Sequence, residues 1–124
     1  MARMTNGIGW FQIGVPDMAA AQRFYGDLFG WTFTEDSPSY HIATTPVEES
    51  IKGGIWNTGG EVPNHAIFCV EVADVADTVR RTEAAGGKVI VPVTAGKDGL
   101  VFADVLDPFG NHFGLYSPRP SEGA

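Results

Sequence analysis

Few residues in this chain have a type and setting that chemistry could use. His41, His65 and His112 carry imidazole nitrogens, Cys69 a thiol and Glu71 a carboxylate. Cys69 stands among Ile67, Phe68 and Val70, which reads as a buried, inert thiol. Glu71 would become a stronger base if buried, but the end of a strand favours exposure. Glu48 and Glu49 are adjacent, so they point apart and read as a solvated acidic loop. The chain has no Gly-x-Ser-x-Gly elbow, phosphate loop or Cys-x-x-Cys pair. A divalent metal needs about three or four N, O or S donors. The histidines supply that only as an unusual set of His41, His65 and His112. His65 otherwise reads as a strand-end histidine bonded to a loop, or as a polar contact to a ligand. His112, beside a turn, reads as surface or pocket rim. No catalytic residue is assigned.

The elements that must position these residues are written twice. Val15-Pro16-Asp17-Met18 opens one helix and Gly30-Trp31-Thr32-Phe33 follows it; Val72-Ala73-Asp74-Val75 and Gly87-Lys88-Val89-Ile90 repeat the plan 57 residues later. A long period with matching caps means two copies of one supersecondary unit. Ile8 to Val15 reads as a strand, with Trp10, Gln12 and Gly14 on one face and Phe11, Ile13 and Val15 on the other. Asp17 is the N-cap of a helix over 18–29. Ala21, Phe24, Tyr25, Leu28 and Phe29 form its apolar stripe, expected to pack on the sheet, and Gly30 is its C′ residue. Strands follow near 31–35, 39–44 and 51–56, with Ser37-Pro38-Ser39 a turn.

The second copy predicts a strand over 64–72, a helix over 75–85 capped by Asp74 and stopped by Gly86-Gly87, and strands near 88–94, 99–105 and 111–116. Lys97-Asp98-Gly99 and Asp107-Pro108-Phe109-Gly110-Asn111 are the turns between them. The fold class is therefore α+β: two βαβββ modules, 7–57 and 64–117, forming a curved mixed sheet in a single domain. Residues 1–6 and the tail 118–124 read as loose ends. Sheet faces not covered by helix would line a cavity between the modules.

At 124 residues the chain has one domain's length and needs no staples. Its single cysteine fits a reducing, cytoplasmic setting. No apolar run approaches a membrane span or a signal core. A net charge of −7 without a basic stripe argues against nucleic acid and anionic membranes.

The chain resembles the glyoxalase / bleomycin-resistance / extradiol dioxygenase superfamily, the vicinal oxygen chelate fold. The resemblance rests on Val15-Pro16-Asp17-Met18 with Phe24-Tyr25 and Leu28-Phe29-Gly30-Trp31. It continues in Val70 to Val75 with Ala84-Ala85-Gly86-Gly87-Lys88-Val89, and in Asp107 to Asn111 before Phe113-Gly114-Leu115. The family implies metal-dependent isomerases, dioxygenases, thiol transferases and metal-free drug-binding proteins, so fold alone does not choose among them. Its metal-using members take ligands from four strand positions. Here these correspond to Trp10, Gly54, Ile67 and Gly114. None is a metal ligand, so the expectation is no metal and no cofactor.

Alternation places Trp10, Gln12, Ile67, Cys69, His112 and Tyr116 in the lining, with Trp56 and His65 beside them and Phe33 and Tyr40 as further candidates. Such a lining suits a flat aromatic or apolar molecule. A ring contact adds about 1 kcal/mol beyond burial. Burying about 200 Å² of apolar ligand contributes on the order of 5 kcal/mol before ordering costs. Trp10 either stacks on such a ligand or fills space a metal site vacated. Gly53, Gly54 and Gly114 either leave room for a ligand or permit close backbone approach. The first expectation is a metal-free small-molecule-binding protein that dimerises. The alternatives are a lyase, isomerase or dioxygenase-like enzyme, and an accessory subunit with a vestigial pocket.

Overall fold

The computed structural model describes residues 4–118, so most of the expected 118–124 tail lies outside the described residues. The elements run β1 (Ile8–Val15), α1 (Met18–Phe29), β2 (Thr32–Ser37), β3 (Tyr40–Thr44), β4 (Gly53–Asn57), β5 (His65–Glu71), α2 (Val75–Ala84), β6 (Lys88–Ala95), β7 (Val101–Leu106) and β8 (His112–Ser117). The architecture is α+β, with the βαβββ unit present twice. No helix among the described residues is long and apolar enough to cross a membrane.

The caps act as their residue types dictate. The Asp17 carboxylate accepts from the Ala20 N–H at 3.0 Å, and Asp74 accepts from the Asp77 N–H at 3.0 Å. Gly30 ends α1 in the left-handed region, φ 74°, where only glycine is unstrained. Asp107 builds the turn before β8 by accepting from the backbone of Phe109 and Asn111 and from the Asn111 amide. The Asn111 bond is the largest reason its carboxyl lies below the usual range.

The described residues form two compact units: Trp10–Ile67, and residues 68–118 together with 4–9. They are wired alike. In the first, the order is β2-β3-β4-β1, with β1 parallel to β4 and the other pairs antiparallel. In the second it is β5-β8-β7-β6, with β5 parallel to β8. Gln12 pairs with Gly54, and Cys69, its equivalent one period later, pairs with Gly114. The two glycines therefore hold equivalent places.

Each helix covers one face of its own sheet. Ile13, Met18 and Ile55 are buried under α1, with Phe11, Ala21, Tyr25, Trp31 and Phe33 packed on them. Phe33 thus belongs to the core and not to a cavity lining. Under α2 the core is Val72, Val75, Val79, Ala103, Val105 and Leu115.

Two expectations are corrected. Phe24, Leu28 and Phe29 are 59, 57 and 53 % exposed. The line Met18, Ala21, Tyr25 faces the sheet, and the apolar stripe is wider than the contact. Residues 4–6 are not loose: the Glu71 side chain and carbonyl accept from the N–H groups of Met4 (3.0 Å) and Asn6 (2.6 Å).

The sheet glycines neither leave room for a ligand nor bring backbones together. A Cβ at Gly53 would overlap the Phe11 ring, one at Gly54 the Tyr40 ring, and one at Gly14 the His65 ring. Gly54→Ala is therefore expected to destabilise the protein by about 1–3 kcal/mol, read from urea unfolding. In combination with Tyr40→Ala the cost should be less than the sum of the two, because the clash partner is gone. A neutral Gly54→Ala would contradict this packing.

Candidate functional site

In the unit Trp10–Ile67, the face away from α1 carries Trp10, Gln12 and Gly14 of β1, Gly54 and Trp56 of β4, and Tyr40 of β3. The registers Gln12–Gly54, Gly14–Trp56 and Tyr40–Trp56 put them on one side. His65, at the start of β5, lies over Gly14. The polar atoms of this face form a directional series. The Trp10 indole N–H donates to the Tyr40 hydroxyl at 3.0 Å, and Tyr40 donates to Gln12 Oε1 at 3.2 Å. The Gln12 amide N lies 3.1 Å from His65 Nε2, and His65 Nδ1 lies 2.9 Å from the Pro63 carbonyl. A carbonyl only accepts, so Nδ1 carries the proton and Nε2 accepts from Gln12. Trp56 meets the His65 ring edge-on at 5.9 Å.

This series joins the expected lining residues Trp10, Gln12 and His65 with Tyr40, a further candidate. Trp56 flanks it, and Ile67 shares the His65 side of β5. His41 lies on the opposite face of the same sheet, with Gln22 of α1 and the Glu35 carboxylate at 3.8 Å. It is therefore on the wrong side to share a metal with His65.

The second unit places Cys69, His112 and Tyr116 on the face away from α2. Two neighbours there complete the face, one unforeseen in the sequence and one expected to be exposed. Asp104, 4 % exposed, holds His112 Nε2 at 2.7 Å through Oδ2. The signal was present, a carboxylate inside the apolar run Val101 to Leu106. Glu71 is buried at 7 % exposure, against the expectation of an exposed strand end. Residues 4–9 cover it, and the Tyr116 hydroxyl bonds to its carboxylate. Burial first, then the Glu71 charge, pushes the Tyr116 phenol up to about 12. The Cys69 sulfur occupies the space a Cβ on Gly114 would need, 2.7 Å away.

The four family metal positions do not fit a metal. Trp10 offers only an N–H, which Tyr40 takes, Ile67 is apolar, and the two glycines are covered by Tyr40 and Cys69.

Burial first, then the Asp104 charge, pushes the Cys69 thiol from 9.0 up to about 12. That gap lowers the thiolate fraction about a thousandfold, so a disulfide reagent at mildly alkaline pH should label folded protein about a thousandfold more slowly than unfolded. The raised value also sets a pH dependence. The neutral thiol's contribution to stability is whole below pH 9.0 and declines as pH climbs toward 12. Rapid labelling of folded protein would contradict this burial.

Residues 7–115 match the family described as the Glyoxalase/Bleomycin resistance protein/Dioxygenase superfamily. The chain is 33 % identical over 143 residues to the anthracycline biosynthesis protein DnrV of Streptomyces peucetius, covering 100 % of this chain and 52 % of that protein. The anthracycline biosynthesis protein DauV of a Streptomyces species is 32 % identical over 143 residues, with the same coverage. The chain spans about half the length of these curated relatives. A methylmalonyl-CoA epimerase variant of Streptomyces coelicolor, bound to 2-nitronate-propionyl-CoA, superposes with a TM-score of 0.64 at 16 % identity, over 95 % of this chain and 97 % of that one. At that identity the likeness shows the fold alone. With the family match spanning most of a scaffold wired twice the same way, the chain belongs to the Glyoxalase/Bleomycin resistance protein/Dioxygenase superfamily.

Proposed function

We propose that this chain binds a flat, largely aromatic small molecule on the ring-bearing face of the unit Trp10–Ile67, without a metal at the family's ligand positions. The observation that carries this reading is the Trp10–Tyr40–Gln12–His65 series. It fixes the Trp10 ring before any ligand arrives, and a pre-set surface loses less entropy on binding. Trp10 and Trp56 offer π-faces, while the hydrogen bonds of Gln12 and His65 hold the polar edge of that surface in a set orientation. The relatives' names, anthracycline biosynthesis proteins, support the same class, since an anthracycline's fused rings are such a flat surface.

An enzyme reading has one observation in its favour, the partly buried Asp104–His112 pair at 2.7 Å in the second unit. A carboxylate against an imidazole is an arrangement that moves protons. It keeps a lyase or isomerase activity as the second reading.

Calorimetric titration with an anthracycline aglycone tests the first. The expected result is one-to-one binding that Trp10→Ala weakens about tenfold or more, equal to about 1.4 kcal/mol. Equal affinity in the variant would remove ring stacking as the mechanism. Elemental analysis of protein purified without chelators accompanies it, and about one equivalent of bound metal would favour the enzyme reading.

A further inference from the structure

Glu71 is a buried carboxylate that the ring-bearing face does not use. It stands at the end of β5, and a carboxylate taken out of water needs donors around it. The Met4 N–H donates to its Oε2 at 3.0 Å, and the Tyr116 hydroxyl donates to the same carboxylate. The main chain of Glu71 is taken up as well. Its carbonyl accepts from the Asn6 N–H at 2.6 Å, and its N–H donates to the Gly7 carbonyl at 3.0 Å. Among the described residues, the hydrogen bonds that tie 4–7 to the rest of the unit all end on Glu71.

An attachment at one residue has a consequence for motion. Residues 4–6 are exposed, so the segment buries little apolar surface of its own. An exposed backbone with few buried contacts opens locally before the whole unfolds. Asn6 favours release further. It holds φ 66°, a region that costs a residue with a Cβ, and opening returns it to ordinary backbone. Gly9 makes the closed arrangement possible. A Cβ there would overlap the Tyr116 hydroxyl, so a bare position leaves room for that hydroxyl beside the chain.

We propose that residues 4–7 are a strap latched by Glu71, which opens as one piece while the unit stays folded and uncovers the Glu71–Tyr116 pair. In the closed form a strap N–H occupies the carboxylate. In the open form the face away from α2 gains a carboxylate and a phenol side by side. That is an acceptor next to a donor, which suits a hydroxyl or amide of a small molecule.

Hydrogen exchange on the full chain, followed amide by amide by nuclear magnetic resonance in low urea, tests this. The expected result is that the Asn6 and Glu71 amides exchange at one common rate that urea leaves unchanged, because a strap exposes little surface when it opens. Amides of the β7–β8 ladder should exchange more slowly and speed up with urea. Tyr116→Phe should raise the common rate about tenfold, since the carboxylate loses a donor that holds it in place. Strap amides that follow the urea dependence of the ladder would overturn the proposal, because no opening short of unfolding would then exist. So would an Asn6 amide that exchanges freely while that of Glu71 stays protected, or a rate indifferent to Tyr116→Phe. Ligand affinity at Trp10 is read separately by the Trp10→Ala titration.

Discussion

The ring-bearing face depends on aromatic rings lying over glycines. Tyr40 occupies the place where a side chain on Gly54 would stand, and His65 does the same at Gly14. Only with those side chains missing can the phenol and the imidazole lie flat enough to join one hydrogen-bond series from the Trp10 indole to the Pro63 carbonyl. Each bond orients the next. A ring rotated at one place would leave a partly buried donor or acceptor unmatched, which costs more than the bond itself contributes. Among the described residues, no buried side-chain polar atom lacks a partner.

The two units show how one wiring diagram can carry different chemistry. Both cover one sheet face with a helix and an aliphatic core. The opposite face of Trp10–Ile67 is built of rings and a neutral amide. The equivalent face of the second unit holds the ionisable pairs Asp104–His112 and Glu71–Tyr116 beside an inert thiol. The repeated scaffold supplies position only. The side chains at equivalent places decide whether a face stacks a ligand or handles charge.

Much of the fold was legible. The repeat of Asp caps 57 residues apart, the helix stops at glycine and the turn at Asp107 are local effects, and local effects are written in local sequence. Strand alternation also placed Trp10 and Gln12 on one face. The misses share one physical cause, since they depend on what lies across the sheet. Gly54 and Gly114 could not be recognised as covered positions without the registers that bring Tyr40 and Cys69 over them. Glu71 looks exposed from its place at a strand end, but residues 4–9 bury it. In α1, periodicity marked five apolar residues, of which Ala21 and Tyr25 pack on the core while Phe24, Leu28 and Phe29 stay exposed.

The three tryptophans give the most direct test of a ring-lined binding face. Trp31 is packed in the core under α1, stacked on Tyr25 at 5.3 Å, whereas Trp10 and Trp56 stand on the opposite side of the sheet. Nuclear magnetic resonance of the indole N–H groups, followed while an anthracycline aglycone is added, reads all three at once. The account predicts that the Trp10 and Trp56 signals move together and saturate while Trp31 stays in place. Movement of Trp31 alone, or of none at saturating ligand, would contradict it.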